Sequence, residues 1–301
     1  SIKDIVTREV LTVHKIIEEM MVAANVAAAE TLTRANMLCM FRVHEEPSRE
    51  KIENFRTFLQ TLGMKFTRGQ VLSPAVFNKI LTEVKGSKHA DVVNEMVLRS
   101  QSQAIYSPDN LGHFGLALKK YAHFTSPIRR YSDILVHRGL IKALKLGHDG
   151  LKTEDISAYR KMAEDISGAE RRAMAAERES VDRYLAQYMS GRLGETFTAK
   201  ISGVTRFGLF AILPHSGADG FIPMSTMNYD YFVVDDKAKR LVGRNTGDTY
   251  RLGEEIKVRL VEADKFSGSL RFELMHDNVV PESLLRPLEN KRRGKKRKHR
   301  R

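Results

Sequence analysis

The sequence predicts an α+β protein with two folded domains, a mostly helical one over residues 1–190 and an all-β barrel over residues 191–276. The chain has 301 residues, which is well above the roughly 150 residues typical of one domain. Apolar residues make up 42% of it, so two cores of ordinary composition can form. Before residue 190 the apolar residues recur at helical spacing, and beyond it short β-patterned segments alternate with turn residues.

Six helices are expected in the first domain. Their predicted ranges are 8–35, 48–63, 73 onwards, 91–99, 126–146, and 153 or 155 to 189. Ser48, Ser73 and Ser126 stand at three of the predicted starts, where a side-chain oxygen caps the helix, and Pro follows two of them. Gly147 is expected to end the fifth helix. The Gly-rich segment 112–124 is predicted to be extended, and the helices are expected to cover another part of the protein.

Five short strands are expected in the second domain. Their predicted ranges are 196–204, 206–213, 220–223, 255–263 and 269–274. This pattern favours a small antiparallel barrel, and barrels that bind oligonucleotides (OB-folds) stack bases on exposed aromatic rings beside basic side chains. Lys200, Arg206, Phe207 and Phe210 are therefore candidate RNA contacts. The alternative is that either ring fills the barrel interior.

The net charge of +13 is concentrated at the end of the chain. Residues 291–301 contain nine Lys or Arg and no acid, and about +4 remains without them. Such a run cannot build a core, and it attracts polyanions by releasing their counterions. Residues 277–301 are therefore predicted to be a linker and a disordered basic tail that binds structured RNA, DNA or a ribosome. A solubilising tail with no specific target is the alternative.

Cysteine content and hydropathy exclude two classes of protein. Cys39 is the single cysteine, so an internal disulfide or a cysteine-rich zinc site cannot form. No run of about 18 apolar residues occurs, which excludes a membrane span. The sequence therefore predicts a reduced, cytoplasmic protein.

The segment 121–140 is the first candidate site of the helical domain. If Ser126 caps a helix, Arg129 and Arg130 fall in its first turn, where positive charge opposes the helix dipole. Helix stability does not explain this placement. Free N–H groups together with two guanidinium groups favour a phosphate site, with Ser126 and His123 at its entrance. The alternative is that both arginines pair with carboxylates elsewhere in the fold.

Glu177 is the second candidate in this domain. At helical spacing it shares a stripe with Ile166, Val181 and Tyr184, so its carboxylate is expected to face apolar neighbours. A buried carboxylate needs a partner, either an arginine such as Arg129 or a ligand donor. A purely structural salt bridge is the alternative.

No catalytic metal cluster is recognisable in the sequence. Hydrolysis of a phosphodiester by two metal ions needs carboxylates that hold the cations about 3.5–4 Å apart. The sequence contains no Asp-x-Asp, and His113, His123 and His137 fit no metal-binding pattern. No metal ligand is therefore predicted in this chain.

Several segments together resemble the RNase II (RNB) family of hydrolytic 3′→5′ exoribonucleases. They are IEEMMVAANVAAAE, FRVHEEP, NLGHFGLALKKYAHFTSPIRRYSDILVHR and ERRAMAAERESVDRYLAQYM, and the barrel that follows resembles the S1 RNA-binding domain. The resemblance implies that residues 1–190 are the C-terminal part of an RNB catalytic domain. It also implies processive release of 5′-mononucleotides from the 3′ end of single-stranded RNA, with Mg²⁺ or Mn²⁺ held by an aspartate motif upstream of this chain. The chain is thus expected to be a fragment that binds RNA without cutting it.

The resemblance also implies roles for individual residues. Arg129 matches the arginine that steadies the scissile phosphate, and Glu177 matches the glutamate that positions the terminal nucleotide. Phe207 and Phe210 match the pair that stacks on bases in S1 domains, whereas Pro223 stands where many such domains have a histidine. RNA-channel support is expected from His123, Ser126, Arg130 and Tyr131.

A second hypothesis is a non-catalytic S1-type RNA-binding or ribosome-associated protein, in which the helical domain serves for docking. The missing aspartate motif favours it, whereas the two adjacent arginines at a predicted helix start count against it. Under both hypotheses the partner is single-stranded RNA and the protein is expected to be a monomer.

Overall fold

The structure, a computed structural model, describes residues 2, 4–6, 10–66, 73–87, 89–152, 155–227 and 229–275. The chain divides into two compact units. The first comprises residues 1–188 with 264–268, and the second comprises residues 189–263 with those from Ser269 onwards. The predicted linker and basic tail, residues 277–301, lie outside the described residues, as does residue 276.

All six predicted helices are present. They are α1 (Thr12–Arg34), α2 (Arg49–Thr61), α3 (Pro74–Val84), α4 (Ala90–Ser100), α5 (Tyr131–Leu144) and α6 (Ile156–Met189). The Ser48 hydroxyl caps α2 by accepting the Lys51 N–H at 3.3 Å, as predicted. The predicted hydroxyl cap of α3 is wrong, because the Ser73 side chain makes no capping hydrogen bond.

The predicted start and end of α5 are also wrong. Residues 126–130 form a turn in which the Arg130 N–H donates to the Ser126 carbonyl at 3.1 Å, and the helix begins only at Tyr131. The helix ends at Leu144, where Lys145 adopts a left-handed conformation with φ of 56°, before Gly147 is reached. Arg129 and Arg130 therefore precede the helix, with Arg130 at its N-cap position.

The core of the first unit lies around a short antiparallel sheet of β1 (Phe41–Val43) and β2 (Ile105–Ser107). Helices α1, α5 and the first half of α6 pack on it. The largest side chains of this core are Phe41, Tyr106 and Tyr159, and they pack with Leu32, Met40 and Leu135. The segment 112–124 is not uniformly extended, because residues Phe114–Leu116 form a 3₁₀ turn.

One stripe of α1 is apolar and exposed. Val13, Ile16 and Ile17 are each 51% exposed, and Met20 is 66% exposed. Their spacing of three and four residues places them on one helix face. Within the described part of the chain no element buries this face. None of the described helices is long and apolar enough to cross a membrane.

The second unit contains a closed five-stranded barrel. Its strands are β3 (Thr196–Thr205), β4 (Gly208–Ile212), β5 (Asp219–Pro223), β9 (Glu255–Asp264) and β10 (Ser269–Leu274), in the order β10-β5-β4-β3-β9. All five strands were predicted, but the prediction of a wholly antiparallel barrel is wrong, because β10 pairs with β5 in parallel to close the barrel. The sequence did not predict the three-stranded antiparallel sheet between β5 and β9. It consists of β6 (Phe232–Asp235), β7 (Arg240–Gly243) and β8 (Thr249–Arg251).

Gly208 is essential to the geometry of the barrel. Its φ is 150°, and a Cβ atom there would lie 2.0 Å from the Ile222 carbonyl oxygen on β5. The backbone of β4 thus approaches β5 too closely for any side chain at this position.

We expect Gly208→Ala to destabilise the barrel by about 3 kcal/mol, because overpacking against backbone adds to the cost of a positive φ. Gly217→Ala is the matched control, since its φ is 70° but no atom lies within 4 Å of the added Cβ. It should cost about 1 kcal/mol. Urea unfolding followed by circular dichroism measures both, and equal losses would contradict the steric argument.

Candidate functional site

A buried carboxylate holds the turn that precedes α5. Asp133 is fully buried, and its Oδ2 accepts the Ser126 N–H at 2.7 Å and Arg130 Nη2 at 2.9 Å. Its Oδ1 accepts the Ser132 hydroxyl at 3.1 Å. The pairing of an arginine with a carboxylate, which the sequence left open, is therefore realised for Arg130. This residue positions the turn.

The same turn presents Arg129 to solvent. The Arg129 side chain is exposed, and its guanidinium has no ion-pair or hydrogen-bond partner within the described residues. Ile128 beside it is fully exposed, and Tyr131 is 48% exposed. In the same turn, Thr125 Oγ1 and Arg130 Nε are buried donors that lack a partner among the described residues. The exposed guanidinium of Arg129, which has no partner among the described residues, makes this turn suited to an anion.

His123 lies in a buried polar network behind the turn. The Tyr106 hydroxyl and His123 Nδ1 are 2.8 Å apart. Burial, together with the positive charges of Arg130 and Arg42, lowers the pKa of His123 to about 3. His123 is therefore a neutral ring whose Nδ1 can accept a hydrogen bond from the Tyr106 hydroxyl.

Two charged members of this network were not predicted from the sequence. Arg42 Nη1 pairs with Glu170 Oε2 at 2.6 Å, and the Arg42 guanidinium lies 4.7 Å from the centre of the Tyr106 ring. The pair joins β1 to α6. Arg42 belongs to the FRVHEEP segment and Glu170 opens the last segment of the resemblance, so the motifs contained both residues but gave no signal that they meet.

The structure contradicts the predicted burial of Glu177. Its side chain is exposed, as are those of Val181 (50%) and Tyr184 (63%) on the same stripe of α6. Only the first half of α6 packs on the core, through residues such as Tyr159 and Ala163. No ion pair joins Glu177 to Arg129 within the described residues.

The candidate residues of the barrel face outwards. Phe207 is 65% exposed and Phe210 is 39% exposed, so neither ring fills the interior. The Arg206 guanidinium lies 4.7 Å from the centre of the Phe207 ring, and the Phe210 and Phe221 rings are 5.0 Å apart. Lys200 is half-buried on β3. The rings and Arg206 thus form an open surface suited to stacking.

Magnesium was expected from the resemblance, with its ligands outside this chain. Across the described residues no three His, Cys, Asp or Glu side chains come together as a metal site would require. His44, for example, has no ring nitrogen left to bind a metal ion. Its Nδ1 accepts the Gly115 N–H at 2.8 Å and its Nε2 lies 2.7 Å from the Ser102 carbonyl, so both ring nitrogens are engaged. The described residues do not fit a catalytic metal.

Comparison with known proteins gives the family. Residues 1–146 match the RNB domain, and residues 192–274 match the S1 RNA binding domain. The chain is 43% identical over 272 residues to ribonuclease R of Aquifex aeolicus, a match that covers 90% of this chain. The chain belongs to the RNB family. This RNB chain spans 38% of the length of the Aquifex protein.

Solved structures agree with this assignment of the RNB chain. The apo form of Mycoplasma genitalium RNase R superposes with a TM-score of 0.80 at 28% identity, over 87% of this chain and 42% of that one. The same protein in complex with ribose-methylated single-stranded RNA gives a TM-score of 0.79 at 28% identity, over 86% and 41%. The predicted RNB and S1 resemblance and the mixed α+β fold class are thereby confirmed.

The buried histidines of this RNB chain predict a pH-dependent stability. Burial lowers the pKa of His123 to about 3 and that of His113 to about 4, whereas an unfolded histidine titrates near 6.5. Acid therefore protonates the unfolded state first, and stability present above about pH 6.5 falls as the pH drops toward 4. Between about pH 7 and pH 5 we expect a loss of roughly 2 kcal/mol per histidine.

Urea unfolding across this pH range tests that expectation. His123→Gln should reduce the slope of the unfolding free energy against pH by the amount that corresponds to uptake of about one proton on unfolding. His148→Gln, at an exposed position, is the matched control and should leave the slope unchanged. Equal slopes for all three proteins would contradict the assignment of His123.

Proposed function

We propose that this chain is the RNA-handling part of a ribonuclease R-like 3′→5′ exoribonuclease, which hydrolyses single-stranded RNA processively to 5′-mononucleotides. One observation carries the proposal. The turn before α5 exposes the Arg129 guanidinium without a carboxylate partner among the described residues, while Asp133 fixes the neighbouring Arg130. An unpaired guanidinium that extends from a fixed backbone turn is suited to the scissile phosphate, whose charge grows in the transition state.

The role proposed for Glu177 is to position the terminal nucleotide. A carboxylate accepts hydrogen bonds from ribose hydroxyls or base amino groups. Glu177 is exposed on α6, so its oxygens are accessible to such donors. Four residues that fix or flank the turn before α5 would support the RNA path. They are His123, Ser126, Arg130 and Tyr131.

The metal requirement is proposed for the intact enzyme only. Mg²⁺ or Mn²⁺ would supply charge neutralisation at the reacting phosphate. The described residues hold no suitable carboxylate cluster, so we place the metal ligands outside them. The chain by itself is then expected to bind RNA and not to cleave it.

The S1 barrel would hold the incoming strand. Phe207 and Phe210 offer exposed rings, and Arg206 adds positive charge beside one of them. Such contacts use ring faces and backbone charge and do not read base edges, so little sequence preference is expected. A cytoplasmic location, a monomeric state and a structured RNA or ribosome as partner of the basic tail complete the proposal.

A non-catalytic S1-type RNA-binding or ribosome-associated protein is the second candidate. The observation that favours it is the lack of an acidic metal cluster across the described residues. It leaves the unpaired Arg129 without a role, which is why we prefer the nuclease.

Degradation of a 5′-labelled single-stranded RNA with Mg²⁺ separates the two candidates. The 301-residue chain should bind the RNA without cleaving it, whereas a version extended upstream of Ser1 should shorten the RNA from its 3′ end. In the extended protein Arg129→Ala should lower the cleavage rate roughly 100-fold, with a much smaller effect on RNA affinity.

Arg99→Ala is the matched control for this assay, since Arg99 is an exposed arginine that pairs with Glu95 at 2.5 Å. It should leave the rate unchanged. An inert extended protein, cleavage by the given chain alone, or full activity of Arg129→Ala would each contradict the proposal.

RNA affinity tests the barrel separately. Phe207→Leu should weaken binding of single-stranded RNA about tenfold, because a base–aromatic stack is worth about 1–3 kcal/mol. Leu193→Ala, which changes an exposed apolar position of the same unit, is the control and should leave the affinity unchanged. Fluorescence anisotropy measures both, and an unchanged affinity of Phe207→Leu would exclude the predicted stack.

A further inference from the structure

The three-stranded sheet β6–β8 has its own aromatic core on one face. The Tyr229 and Phe232 ring centres are 5.3 Å apart, and those of Phe232 and Tyr250 are 5.7 Å apart. The Tyr229 and Tyr250 hydroxyls lie 2.6 Å from each other. These three rings are largely buried, so packing among them stabilises this face of the sheet.

That other face is open and carries an aromatic ring. Side chains alternate along a strand, so Tyr231 and Val233 point away from the buried Phe232, and they are 56% and 38% exposed. Arg244 follows β7 opposite Tyr231, and its N–H donates to the Tyr231 carbonyl at 3.0 Å. Its guanidinium lies 5.0 Å from the centre of the Tyr231 ring. One side of the ring is thus backed by a cation while much of the ring stays exposed.

Among the described residues no carboxylate forms an ion pair with Arg244. Four other arginines of the second unit form ion pairs with acidic side chains, namely Arg192, Arg240, Arg259 and Arg271. Within the described residues Arg244 and Arg206 have no such pair, and each lies over an exposed ring. The Tyr231–Arg244 pair therefore repeats the arrangement of Arg206 and Phe207, at another place in the same unit.

Asp230 holds this pair in place. Its carboxylate accepts the backbone N–H groups of Tyr231 at 2.5 Å and Thr246 at 2.8 Å, and the Asn245 side-chain amide at 2.7 Å. The acid next to the pair is thus committed to the loop that carries Arg244. Because these bonds fix the loop before any ligand arrives, little ordering cost remains for binding.

We propose that Tyr231 and Arg244 form a second stacking site for an unpaired nucleotide of single-stranded RNA. The base stacks on the open part of the tyrosine ring, and the guanidinium holds the ring from behind and attracts the neighbouring phosphate. The inference rests on the proposed function of the S1 unit as an RNA holder. It adds a site that lies outside the barrel strands.

Anisotropy titrations of the full 301-residue chain test the site with strands of roughly 4 and roughly 16 nucleotides, the range that one such unit covers. Tyr231→Leu should weaken binding of the longer strand about tenfold, and Tyr231→Phe should restore it. Arg251→Gln is the matched control for Arg244→Gln, because Arg251 is an exposed arginine of the same sheet. It should cost clearly less than Arg244→Gln. Equal losses would show attraction by charge alone and would overturn the stacking site.

A direct readout uses the absence of tryptophan from the sequence. Tyr231→Trp introduces a single indole whose fluorescence should be quenched when a base stacks on it. A signal that stays unchanged at saturating RNA would overturn the proposal. It would do so even in a protein that still binds RNA.

The comparison with Phe207→Leu separates this inference from the proposed function. If Phe207→Leu weakens binding and Tyr231→Leu does not, the second site is wrong and the RNA-holding role of the barrel stands. If neither variant changes the affinity, the proposed role of the S1 unit fails, and the second site fails with it.

Discussion

The buried carboxylate of Asp133 is the interaction on which the candidate site depends. A charge without solvent exposure must be compensated, and here Arg130, the Ser126 N–H and the Ser132 hydroxyl compensate it. These bonds fold residues 126–130 back as a turn and delay the start of α5. Removal of either charged partner would leave the other buried and unpaired, at a cost of about 3–5 kcal/mol. The same constraint that shapes the turn leaves Arg129 as its exposed member.

A neutral polar layer behind the turn makes this arrangement possible. Arg42 and Glu170 neutralise each other, and the low pKa of His123 keeps that ring uncharged beside the arginines. The unbalanced positive charge of the turn is therefore at Arg129, on the solvent side. Electrostatic stabilisation is strongest when the charge is placed in advance and does not have to reorganise. The network fixes the backbone turn from which Arg129 extends, without using the Arg129 side chain itself.

The sequence predicted elements whose signals are local and missed features that depend on distant contacts. Apolar periodicity and turn residues located all six helices and the five barrel strands. The predicted start of α5 was wrong because Ser126 looks like a helix cap in the sequence. In the structure the Ser126 N–H donates to the carboxylate of Asp133, seven residues later. Glu177 lies on an apolar stripe that packs on the core at Ile166 but is exposed at Glu177, Val181 and Tyr184, so periodicity alone misjudged the burial of Glu177. The strands β6–β8 have only three or four residues each, too few to show alternation.

Arginine pairing explains how a modestly charged body can bind a polyanion at defined places. Arg192, Arg259 and Arg271 of the second unit each pair with a glutamate, so these arginines add little net attraction for RNA. Arginines without a carboxylate partner among the described residues include Arg129 in the first unit and Arg206 and Arg244 in the second. The last two lie over aromatic rings, which accept any base, whereas Arg129 has none and is suited to a phosphate. The two units are therefore suited to different parts of a nucleotide, the second to its base and the first to its phosphate.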